Sequence, residues 1–154
     1  MLNVLLYLFD NHLVSEQAFK EDLVETQQQL IAEGFPPQEI QQALIWLKEL
    51  QYLHKESQTI SNFTTNAIRV WLPEEQQKLS VDALDFLLKL ESQGVVDAQL
   101  REVIIDRAMA LEMPVVEVFQ IKWIALIVMY HYQQEEISIP WLEHVLMNET
   151  LQTH

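Results

Sequence analysis

The sequence predicts a mostly α-helical protein, with an N-terminal part (residues 1–72) ending in a small β-hairpin and a helical bundle over residues 73–154, packed together as one unit. Three observations carry this prediction. The chain of 154 residues holds only two glycines and five prolines, too few for turn-rich β architecture, while Leu, Glu, Gln and Ala supply helix propensity. Eight consecutive apolar residues stand between Lys122 and His131. A membrane span takes about 20, so residues 121–132 read as a helix buried on every side within a globular core. Finally, Ile68, Val70 and Leu72 alternate with Arg69 and Trp71, which is the period of a strand.

Each element has its own signal. Residues 2–13 form a first helix because Val4, Leu5, Leu8 and Phe9 recur at helical spacing. Ser15 N-caps the next, with Val14 and Phe19 as its hydrophobic staple. That helix runs through Leu23, Leu30 and Ile31 to Gly34, where a left-handed residue ends it. Pro36 and Pro37 turn the chain into a third helix whose stripe is Ile40, Ala43, Leu44, Leu47 and Leu50. After Leu53 the sequence becomes polar, and residues 52–55 are the expected partner of the strand at residues 67–72. Three helices followed by a two-stranded hairpin is the winged-helix order, which makes residues 1–72 a winged-helix-like subdomain.

In the second part, Pro73 opens a short helix with Glu74 and Glu75 where the helix dipole favours acids. Ser80 caps the next helix, stapled by Leu79 and Leu84, which continues through Phe86, Leu87 and Leu90 to Gly94. Asp97 caps a helix with the stripe Leu100, Val103, Ile104, Ala108 and Leu111. Pro114 suits the first turn of the buried helix. Ser138 and Pro140 open a terminal helix carrying Trp141, Leu142, Val145 and Leu146. The two glycines lie 60 residues apart, and their surroundings correspond: Leu30 and Leu90 before them, Ile40 and Leu100 after, then Ala43-Leu44 and Val103-Ile104. Two generic helical hairpins and a duplicated helix-turn-helix both account for this echo.

Composition narrows the function. Acidic residues number 23 against 9 basic ones, a formal net charge of −14. A field of that sign repels phosphate backbones and suits either simple solubility or a basic partner. Cysteine is absent, which removes disulfides, thiolate chemistry and cysteine-held zinc. The apolar start of the chain has no basic residue before it and no small-residue cleavage site, so a signal peptide is not expected and the protein is placed in the cytoplasm, off the membrane.

No residue constellation points to catalysis or to a cofactor. Two isolated glycines cannot cradle a phosphate. His131 and Glu135 share a helical spacing but lack further metal ligands, and His144 beside Glu143 diverges from it. For nucleic acid, the candidate contacts are Gln41, Gln42, Lys48, Arg101 and Arg107, interrupted by Glu39, Glu49, Glu102 and Asp106, so neither helix is a basic stripe. Protein recognition is the better expectation. Trp46, Trp71 and Trp141 lie in or beside amphipathic segments, with Arg69 next to Trp71, and tryptophan is enriched at interaction hot spots; the alternative for Trp46 and Trp71 is that they cover the core between the two subdomains. A second copy of the chain is a further candidate partner.

The order of short motifs is similar to that of the bacterial Smg family. They run from Leu5-Leu6-Tyr7-Leu8-Phe9 to Gly34-Phe35, Ala43-Leu44-Ile45-Trp46-Leu47, Ile68-Arg69-Val70 and Pro73-Glu74-Glu75. Phe86-Leu87-Leu88, Arg101-Glu102-Val103-Ile104-Ile105-Asp106-Arg107 and Lys122-Trp123 follow. The resemblance spans essentially the whole chain. It implies a cytoplasmic proteobacterial protein of unknown function with no catalytic residues to carry over. Its genes tend to lie near those of a DNA-processing protein, an association and not a mechanism. The acidic excess, the tryptophans and the absence of chemistry point to a non-catalytic adaptor linked to nucleic-acid metabolism; the alternative, from the winged-helix order, is a nucleic-acid binder.

Overall fold

A computed structural model describes residues 1–10, 23–59 and 70–132 of the chain. Among them stand α1 (Leu2–Asp10), α2 (Leu23–Ala32), α3 (Pro37–Thr59), α4 (Pro73–Lys78), α5 (Val81–Ser92), α6 (Ala98–Met109) and α7 (Val118–Tyr132).

The helix apolar on every side is the hub. In α7, Ile121 and residues 124–128 are fully buried, with α5 and α6 packed against it. From α1, the Phe9 ring meets Trp123 and Tyr130 edge-on, with centroids 6.2 and 5.7 Å apart. Burying each large aliphatic side chain contributes about 1.5–3 kcal/mol, so the run of buried residues in α7 is a large contributor to the packing energy. The neighbouring helices turn one stripe inward, as their spacing requires. Val4, Leu5, Leu8 and Phe9 of α1 are buried, as are Ile40, Ala43, Leu44, Leu47 and Leu50 of α3. Leu100, Val103, Ile104 and Ala108 of α6, with Leu111 beyond it, complete the same cluster.

Local chemistry sets the helix ends. Ser80 Oγ accepts from the Ala83 N–H at 3.1 Å, and Asp97 Oδ1 accepts from the Leu100 N–H at 2.7 Å, so both expected caps are made. Gly34 (φ 95°) and Gly94 (φ 75°) are both left-handed. Each terminates its helix with the same pair of bonds: the Gly34 N–H to the Ile31 carbonyl and the Phe35 N–H to the Leu30 carbonyl, then the Gly94 N–H to the Glu91 carbonyl and the Val95 N–H to the Leu90 carbonyl. That is a Schellman turn at both positions. The sequence echo therefore extends to hydrogen bonding.

The winged-helix expectation fails. No strand occurs among the described residues, whose one isolated bridge joins Leu79 to Val116. Residues 52–55, expected to be a strand, continue α3, because nothing between Leu50 and Glu56 breaks a helix and Leu53 stays packed against the core. Val70 and Leu72 alternate with Trp71 in exposure, without a partner strand among the described residues. Val70 is 80% exposed and Leu72 55% exposed, while Trp71 leans on the core. Residues 67–69 lie outside the described residues.

Two smaller expectations also change. Pro114 precedes α7 rather than opening it, because Val116 pairs with the Lys78–Ser80 backbone first: its N–H donates to the Lys78 carbonyl at 2.7 Å and its carbonyl accepts from the Ser80 N–H at 3.0 Å. The helix then starts at Val118, where the Glu117 N–H donates to Gln120 Oε1 at 2.9 Å. Ile31 is exposed, since α2 buries Leu30 alone among its described side chains. The Ser15 cap with its Val14 and Phe19 staple, and the terminal helix from Ser138, lie outside the described residues.

Candidate functional site

The second helices of the two glycine-ended hairpins, α3 and α6, pack side by side in opposite senses. Gln42 Nε2 donates to Glu112 Oε2 at 2.7 Å at one end of the seam. At its centre Trp46 and Arg107 exchange bonds: the indole Nε1 donates to the Arg107 carbonyl at 2.9 Å, and Arg107 Nη1 donates to the Trp46 carbonyl at 3.1 Å. The guanidinium lies 5.4 Å from the indole centroid, within cation–π range. Its remaining donors reach Glu49 Oε2 at 2.8 Å and Asp106 Oδ2 at 2.6 and 3.0 Å.

This seam relocates several anticipated contact residues. Trp46, a candidate partner contact with core cover as its alternative, is buried, because the residue beside the α3 stripe faces α6 rather than solvent. Arg107 is buried too, and so is Arg101, whose Nη1 meets Glu91 and whose Nη2 meets Glu102 Oε1 at 3.0 Å. Neither arginine is presented to a groove, since both guanidiniums are buried and paired with carboxylates, although Arg101 Nε meets no acceptor. Gln41 and Lys48 stay exposed, Gln42 is tied to Glu112, and Trp71 is half-buried. Arg69 and Trp141 lie outside the described residues.

The other cations of the described residues divide the same way. Lys122 is buried, its ammonium 5.6 Å from the Phe86 ring centroid, and that burial pushes its pKa down. Lys78 Nζ donates to the Met109 carbonyl at 2.8 Å and to the Leu111 carbonyl, capping the end of α6 as a cation should. Lys48, Lys55 and Lys89 alone stand fully exposed among the described basic side chains. Exposed carboxylates far outnumber them and occur on or beside every helix from α2 to α7.

The outer surface of the α3–α6 pair is where this excess meets apolar side chains. α6 exposes Gln99, Glu102, Asp106 and Ala110; α3 exposes Ile45, Glu49, Tyr52 and Glu56. The Tyr52 hydroxyl donates to Glu56 Oε1 at 2.8 Å, and that carboxylate raises the phenol's pKa. Reading residues 52–55 as a strand hid Tyr52. The signal that finds it is its spacing of seven from Ile45, both off the buried stripe of α3.

Other features are less suggestive. A shallow cleft of about 200 Å³ is lined by Met1, Leu2, Asn3, Leu111, Glu112 and Met113. His131 is buried, with its ring 5.3 Å from that of His54, which Tyr132 covers at 4.2 Å. Glu135, Glu143 and His144 lie outside the described residues. Among the described residues no group of three metal-ligating side chains forms, and no helix is long and apolar enough to cross a membrane.

Comparison with known proteins returns a consistent set of relatives. The family described as "Protein of unknown function (DUF494)" matches residues 1–154. A "Protein Smg homolog" of Thioalkalivibrio sulfidiphilus is 35% identical over 149 residues, covering 96% of this chain and 93% of that protein. Those of Nitrosococcus oceani, at 35% identity with 97% and 94% covered, and Vibrio vulnificus, at 34% with 95% and 94% covered, are similarly close. No solved structure matches.

Proposed function

This chain belongs to the DUF494 family of proteins of unknown function, the family of the Smg homologues, and from that premise we propose that it is a non-catalytic interaction protein whose partner is a basic protein. One observation carries the reading. Both described arginines, Lys122 and Lys78 are engaged inside the fold or at the end of α6, leaving three exposed lysines, while nearly all described carboxylates other than Glu75 stand at the surface. The described surface is therefore anionic, in keeping with the formal charge of −14. Such a field accelerates encounter with a cationic partner and repels phosphate backbones, which need exposed lysines and arginines to displace their counterions. Like charge also makes a second copy of the chain the poorer partner.

A role beside DNA-processing machinery in the cytoplasm fits the same chemistry, because proteins that grip nucleic acid carry the basic segments this surface would attract. The test is affinity capture of the tagged full chain from native bacterial lysate, with and without nuclease. A basic protein retained in stoichiometric amount after nuclease, and released by salt, supports the proposal. Partners recovered only through nucleic acid would contradict it.

A further inference from the structure

We infer that the paired outer faces of α3 and α6 are the docking surface, and that its occupant is a basic amphipathic helix of a partner protein. The inference rests on the proposed function and adds the place and the shape of the ligand. Ile45 is 49% exposed and Tyr52 62% exposed. Seven residues bring a helix almost back to the same side, about 10 Å further along its axis. Two apolar side chains at that separation match the i and i+7 anchors of a second helix.

The charges flank this row asymmetrically. Glu49 reaches across to Arg107 of α6, which fixes the side of α3 that faces α6. Glu56, seven residues on, continues that edge, and Asp106, bonded to the same Arg107, lines the facing edge of α6. Lys48 and Lys55 fall on the other flank of α3, away from the seam. Glu49 and Asp106 are each 53% exposed despite their bond to Arg107, so their carboxylates keep lone pairs for incoming donors. Tyr52 is held by its bond to Glu56, which reduces the ordering cost of using it as an anchor. An apolar row bordered by carboxylates complements a helix with an apolar row bordered by lysines or arginines.

The experiment titrates the full chain with a labelled synthetic helical peptide of leucines at i, i+3, i+4 and i+7 spacing on a lysine background, read by fluorescence anisotropy. Two variants are compared: Ile45→Arg with Tyr52→Arg, and Val81→Arg at a residue 74% exposed on α5. None of the three side chains is a core member, and circular dichroism checks that both variants fold. The expected result is a loss of affinity of about tenfold or more for the double variant, with Val81→Arg close to wild type. A peptide with serine for leucine should lose a similar factor. Equal binding by wild type and the double variant, or an equal loss with Val81→Arg, would overturn the surface while leaving the basic-partner reading intact. Serine and leucine peptides of equal affinity would overturn the apolar row. Failure of every cationic peptide to bind at low salt would overturn the proposed function itself.

Discussion

Arg107 shows how single residues divide their work between fold and surface. Its guanidinium joins α3 to α6 through the Trp46 carbonyl, Glu49 and Asp106 while lying against the indole. Arg107→Met removes bonds to charged partners that contribute about 1.5–3 kcal/mol, so the urea midpoint should fall by a corresponding amount. Arg107→Lys should recover little, because an ammonium cannot span the fork of acceptors. Lys122 makes a second prediction, from its depressed pKa. Between the folded-state value and the ordinary lysine value of 10.5, the unfolded chain binds more protons than the folded one. Stability contributed by this group therefore rises with pH across that window. Lys122→Met should flatten the rise, measured by urea unfolding as the pH is raised toward 10.5.

At the scale of elements, the two Schellman turns give the sharpest test. Nothing lies within 4 Å of the position a β-carbon would take at Gly34 or at Gly94. Substitution by alanine is therefore a backbone effect alone, costing about 1–2 kcal/mol for a left-handed residue. The costs of Gly34→Ala and Gly94→Ala should be equal within error and additive in the double variant, read from thermal unfolding. Most of the architecture was legible at this scale. The stripes of α1, α3 and α6, the Ser80 and Asp97 caps and both glycine turns follow from spacing and side-chain type. The hairpin did not, because alternation in Val70, Trp71 and Leu72 specifies an extended backbone without specifying a partner, and Tyr52 and Leu53 fit a strand or a continuing helix equally well. The seam was also hidden. Trp46 sits beside a buried stripe, and whether that flank meets solvent or another helix depends on the position of α6, which the local sequence of α3 does not encode.

At the scale of the whole molecule, α7 and the surface charge pull in different directions. Leu126 is fully buried at the hub, so Leu126→Ala should cost about 2–5 kcal/mol and lower the melting temperature without changing partner affinity at temperatures where the variant is folded. Charge acts at the exterior. An anionic exterior should make partner association slow steeply as salt rises, a rate measurable by stopped flow once a partner is in hand. The central claim is that a basic protein docks on the outer faces of α3 and α6, and it is tested most directly by parallel capture from one nuclease-treated lysate. Three baits are used: the wild-type chain, the Ile45→Arg, Tyr52→Arg double variant and Val81→Arg. The account predicts one basic protein retained by wild type and Val81→Arg and lost from the double variant. Retention by all three baits, or capture that vanishes for all of them once nucleic acid is digested, would contradict it.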